Sequence, residues 1–164
     1  MVVDGEIAGW DVRADGGRVQ SAGDAVEIHR EQPGETALYS VVDAGEGLGY
    51  LTVEAQSVLS SGTMRAFLIC QDERGEWLHV APDGAGASVP NDGDWHVLRI
   101  AALCPTGTAS ARLDLRNAGV GTVDFRDAHL ELDSCRAAIW RIDPDSTDIR
   151  QDSAFYRPVT MPPP

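Results

Sequence analysis

Between Trp95 and Leu132 apolar and polar side chains alternate three times in succession, and this pattern constrains the fold more than any other stretch. Leu98, Ile100 and Ala102 alternate with Val97, Arg99 and Ala101. Ala109, Ala111, Leu113 and Leu115 alternate with Ser110, Arg112, Asp114 and Arg116. Val123 and Phe125 lead a third run that ends in His129-Leu130-Glu131-Leu132. A period of two places one set of side chains on each face of a sheet, so one face is buried and the other wetter. Pro105-Thr106-Gly107-Thr108 and Asn117-Ala118-Gly119-Val120-Gly121 lie between the runs and carry turn chemistry. Antiparallel strands joined by short turns imply a sandwich or barrel and exclude a βαβ layout.

Upstream the same grammar continues. Val26 and Ile28 form the apolar face of a strand over Asp24 to Arg30, and Gln32-Pro33-Gly34-Glu35 turns the chain. Ala37 to Val42 is a more continuous apolar run, as expected of a central strand. Over Tyr50 to Val58, Leu51, Val53 and Ala55 point one way and Tyr50, Thr52, Glu54 and Gln56 the other. Ser60-Ser61-Gly62 reads as a turn before a strand from Met64 to Cys70, and Asp72-Glu73-Arg74-Gly75 as a hairpin turn. Pro82 to Asp94 reads as a long polar loop. Residues 6–132 thus hold about eight to ten strands with turns at sandwich spacing and no amphipathic helix. The expected fold is all-β, a two-sheet antiparallel jelly-roll β-sandwich with an extended C-terminal tail. Leu51, Val53, Leu98, Ile100, Leu113 and Leu115 are its expected core.

Two units are expected, 1–132 for the jelly roll and 133–164 for a connecting segment and Pro-rich tail. From Asp143 the chain is polar, rich in proline and without periodicity. Phe155 and Tyr156, with Arg157 beside them, are an aromatic pair with no local core, which suits an arm onto another protein subunit.

The 13 basic residues, all Arg, are outnumbered by acids to a net charge of −13, which argues against nucleic acid or an anionic membrane as partner. No run approaches the ~20 apolar residues of a membrane helix. The opening MVVDGEIAGWDV has neither a basic region nor a long apolar stretch and does not read as a signal peptide. Cys70, Cys104 and Cys135 match no zinc spacing, and the first two lie in or beside apolar strand runs. They read as free thiols, small and buried.

Catalysis is not expected. The chain has no G-x-S-x-G, no H-E-x-x-H and no phosphate-binding loop before a helix. His29, His79, His96 and His129 are scattered over separate strands. A carboxylate pair of the glycosidase kind is not singled out by any spacing.

Several segments together carry a resemblance. Trp95 with its alternating strand, Cys104-Pro105-Thr106-Gly107-Thr108, Ala111-Leu113-Leu115, Gly121-Thr122-Val123 and Phe125-Arg126-Asp127 resemble the C-terminal half of carbohydrate-binding modules of families four, nine and twenty-two. Tyr50 to Gln56, the Asp72–Gly75 turn and Gly9-Trp10 are similar to upstream segments of those modules. The resemblance covers residues 4–132 and implies a galactose-binding-like jelly roll. It implies a structural calcium near Glu6 and Asp127, although Arg126 stands where the family has an Asp and would oppose a cation that needs about six to eight oxygens. It gives Trp95 and Trp10 packing roles.

The resemblance implies a non-catalytic module for a neutral glycan, active in adhesion at an extracellular or virion surface. Pyranose faces stack on flat aromatic rings while charged and amide groups bind hydroxyls. The candidates are Tyr50, Glu54, Gln56, Arg99, Arg112 and Asp114 on outward strand faces, with Trp77 at a rim. An ordinary solvated sheet face presents the same residue types. The alternative is a structural or assembly subunit of a virion or appendage that uses the same fold, with its C-terminal tail as the arm.

Overall fold

The computed structural model describes residues 9–78 and 85–132. Eight strands run β1 (Asp11–Ala14), β2 (Gly17–Ala22), β3 (Ala25–Arg30), β4 (Thr36–Asp43), β5 (Gly47–Gln71), β6 (Ala85–Ala87), β7 (His96–Cys104) and β8 (Ser110–Leu132). All their pairings are antiparallel, and no helix occurs among the described residues. Glu6, His79, Cys135, Phe155, Tyr156 and Arg157, and the tail as a whole, lie outside the described residues.

Two layers emerge from the pairing because β5 and β8 are long enough to belong to both. In the first layer the order is β2, β3, the C-terminal half of β8, the N-terminal half of β5, then β7. In the second it is β1, β4, the N-terminal half of β8, the C-terminal half of β5, then β6. The ladder is therefore continuous although the architecture is a two-layer sandwich.

The expected turns at Ser60-Ser61-Gly62 and Asn117–Gly121 are corrected here, for both stretches lie inside continuous strands. The reason is backbone proximity. A Cβ on Gly62 would sit 2.3 Å from the Ala118 carbonyl oxygen, and one on Gly119 would sit 2.1 Å from that of Ser61. The small residues let the two strands bend together from one layer to the next instead of ending. An irregularity between Leu59 and Ser61 adds the local kink. Buried Asn117 fastens it: its Nδ2 donates to the carbonyls of Ile28 and Gly121, each at 3.0 Å, and its Oδ1 accepts from the Gly119 amide at 3.0 Å. One smaller correction follows: the polar loop expected from Pro82 contains β6.

The six expected core residues are all buried. They join Val26, Ile28, Leu38, Met64, Leu68, Phe125 and Leu130 in one cluster between the layers, against which Trp10 packs. Each large side chain contributes about 1.5–3 kcal/mol by leaving water.

The expectation of free thiols is corrected for two cysteines. Cys70, at the end of β5 in the second layer, and Cys104, at the end of β7 in the first, form a disulfide with Cα atoms 5.5 Å apart. The expectation rested on spacing along the chain, whereas the pairing arises because both residues point inward from facing layers. Closing 34 residues of chain stabilises the fold by about 3–4 kcal/mol in the chain-entropy picture.

Candidate functional site

Each layer turns one face outward, and the sequence-derived ligand residues divide between the two. Tyr50, Glu54, Gln56 and Arg99 lie on the outer face of the first layer. Tyr50 is flanked by Ala101 and Glu131, and Arg99 and His129 flank Thr52. Much of this face is already engaged. Arg126 Nε donates to Glu54 at 2.7 Å, its guanidinium stacks 4.0 Å from the Trp95 ring, and Asp24 lies 3.3 Å away. The Glu54 hydrogen bond and the nearby negative charges raise the pKa of Arg126. The Gln56 amide donates to the Gly93 carbonyl. Asp124, opposite Glu27, is held above the usual carboxylate range by burial and by that neighbour.

Arg112, Asp114 and Trp77 occupy the outer face of the second layer. Asp114, on β8, pairs with Tyr39 on β4 and Phe67 on β5. It faces outward yet is 0% exposed, because two guanidinium groups close over it. Arg112 donates to Oδ2 from Nε at 3.0 Å and from Nη2 at 2.8 Å. Arg116 donates to Oδ1 from Nε at 2.6 Å and to Oδ2 from Nη2 at 2.9 Å. The alternation that makes β8 a strand is what brings residues 112, 114 and 116 to one face. Burial works to lower the Arg116 pKa, but bonding to Asp114 and the charge of Glu35 outweigh it and raise it.

The aromatic rings complete this array. The Arg112 guanidinium lies 3.7 Å from the Tyr39 ring centre, and that of Arg116 lies 4.8 Å from Phe67. Trp77 bridges to Gln71 at the end of β5, which puts it on the same face at the rim, and it is 58% exposed. Tyr39, Phe67 and Arg116 were not among the sequence-derived candidates. The signal that could have found them is β-pairing register, which no spacing along the chain reveals.

Of the calcium candidates, Asp127 is described. It sits in a bulge opposite β5 with φ of 49°, which turns both it and Arg126 outward. Among the described residues no group of three His, Cys, Asp or Glu side chains could hold a metal ion. Arg126 brings positive charge to its neighbourhood, and Glu6, the other calcium candidate, lies outside the described residues.

No protein-family model matches the chain, and no curated protein matches it in sequence. Solved structures do match in shape. The fold is a β-sandwich of the shape found in carbohydrate-binding modules. The xylan-binding domain CBM22-1 from Paenibacillus barcinonensis Xyn10C superposes with a TM-score of 0.55 at 12% identity, over 78% of this chain and 88% of that one. TmCBM61, solved with β-1,4-galactotriose, superposes with a TM-score of 0.54 at 16% identity, over 79% and 92%. The enzymatically active domain of bacteriophage CBA120 tailspike protein 4 gives 0.64 at 14% identity. The match covers 77% of this chain but only 20% of that tailspike chain.

Proposed function

We propose that the module binds a glycan, without turning it over, across the outer face of its second layer. The observation that carries this reading is the array around Asp114: guanidinium donors held in place by one sealed carboxylate, with Tyr39, Phe67 and Trp77 beside them. The exposed ring of Trp77 suits the C–H face of a sugar, and donors fixed in place by Asp114, Tyr39 and Phe67 lose little freedom on meeting hydroxyls. The likeness in fold to a xylan-binding domain and a galactotriose-bound module supports the same reading. Asp114 is shut from solvent between two arginines, where it serves to hold them in place for binding. The test is a glycan array probed with the wild-type protein, with Trp77→Ala and Tyr39→Ala, and with Tyr50→Ala as the control on the other face.

A second reading is supported by the likeness to the tailspike chain: the module is one part of a virion or surface assembly. In that reading residues 143–164, with Phe155, Tyr156 and Arg157, are its arm onto a neighbouring subunit. Sizing the protein with and without those residues tests it. A change in oligomeric state supports the arm, and an unchanged one removes it.

A further inference from the structure

On the same face, three arginines fall in one row across four strands. Arg65 on β5 pairs with Arg116 on β8, Arg116 with Ala37 on β4, and Ala37 with Arg13 on β1. Neighbouring strands lie about 4.8 Å apart, so the row spans roughly 14 Å. On a chain with a net charge of −13, this is a local concentration of positive charge. Like charges directly opposite each other on paired strands are destabilising. Part of the row is neutralised within the fold: Glu35 accepts from Arg13 and from Arg116, and Asp114 accepts from Arg116. The ion pairs formed among the described residues do not reach Arg65, which is exposed beside Arg116.

We infer that Arg65, with Arg116 behind it, receives the carboxylate of an acidic sugar, so that the glycan bound on this face carries uronic acid residues. The inference rests on the glycan-binding reading and adds the ligand's charge to it. A guanidinium presents a planar fork of donors that matches the two oxygens of a carboxylate. An incoming carboxylate offsets the repulsion between Arg65 and Arg116 that the free protein bears. The remaining acidic charge of the chain does not forbid this, because exposed charges more than about 8 Å away are largely screened at physiological ionic strength. Tyr39 stands one row from these arginines and Trp77 lies towards the other end of the face, leaving the arginine row to read the substituent.

The experiment is titration calorimetry of the full chain with oligogalacturonate, with the same oligosaccharide after carboxyl reduction, and with a sulfated oligosaccharide of equal length. The expected result is at least about tenfold tighter binding of the uronate than of its reduced counterpart. That preference should shrink with added salt. Arg65→Gln should abolish it, and Arg65→Lys should keep part of it. Equal binding of the acidic and reduced forms overturns the inference and leaves the glycan-binding reading standing. A uronate preference that survives Arg65→Gln overturns the assignment to this row. Sulfate bound as tightly as carboxylate overturns the carboxylate specificity. Binding of none of the three by the wild-type protein overturns both inferences for these sugars.

Discussion

Arg112 and Arg116 reach Asp114 from either side along a single strand, with their Nε atoms 3.0 Å and 2.6 Å from its oxygens. The carboxylate is the hub of the second layer's outer face. Removing it leaves two largely buried guanidinium groups repelling each other. Asp114→Ala is expected to cost about 3 kcal/mol, and Asp114→Asn less, both read from urea unfolding. An Asp114→Ala variant as stable as the wild type would show that the two arginines hold their positions without it.

The disulfide between Cys70 and Cys104 crosses the sandwich. Cys70→Ala with Cys104→Ala is expected to lower stability by about 3–4 kcal/mol while far-UV circular dichroism stays that of a β-protein. A chain that binds a thiol reagent at either residue when unfolded without reductant would contradict the bond.

Asp124 supplies a pH signature. Burial and Glu27 raise its pKa in the folded state above the unfolded value, so the fold favours the protonated form. Its contribution is most favourable below the unfolded pKa near 3.8 and is lost as pH rises through the folded pKa. Asp124→Asn should therefore raise Tm at pH 7 and leave it nearly unchanged near pH 3. A variant that melts lower than wild type at pH 7 would reverse the assigned sign.

Asn117 closes the bend that carries β8 between layers. Asn117→Ala strands buried carbonyls of Ile28 and Gly121, at a cost of about 1–3 kcal/mol for each group left unsatisfied. Hydrogen exchange should accelerate first at Val58–Gly62 and Ala118–Gly121, and uniform acceleration across the chain would place the strain elsewhere.

Much of the sandwich was legible because alternation is a local property. Leu51, Val53, Leu98, Ile100, Leu113 and Leu115 could be assigned to the core from parity alone, and all are buried. What failed was local chemistry read without its partner strand. Gly62, Gly119 and Gly121 look like turn residues, but they serve close passage of two strands. Cys70 and Cys104 are far apart in sequence, and only the facing of two layers brings them together. The candidate site divided for the same reason. Parity turns Tyr50, Glu54, Gln56 and Arg99 outward, and Arg112 and Asp114 likewise. Parity says that a residue faces out, but not which of two outer faces it joins. Tyr39 and Phe67 entered the site only through their register with Asp114.

The most direct measurement is titration of a panel of xylo-, galacto- and galacturono-oligosaccharides into the wild-type protein, Trp77→Ala, Tyr39→Ala and the double variant Tyr50→Ala/Arg99→Ala. The prediction is binding by the wild type, a loss of about fivefold or more in each second-face variant, and little change in the first-face double variant. Loss of binding in Tyr50→Ala/Arg99→Ala with Trp77→Ala and Tyr39→Ala unaffected would contradict the placement of the site on the second layer.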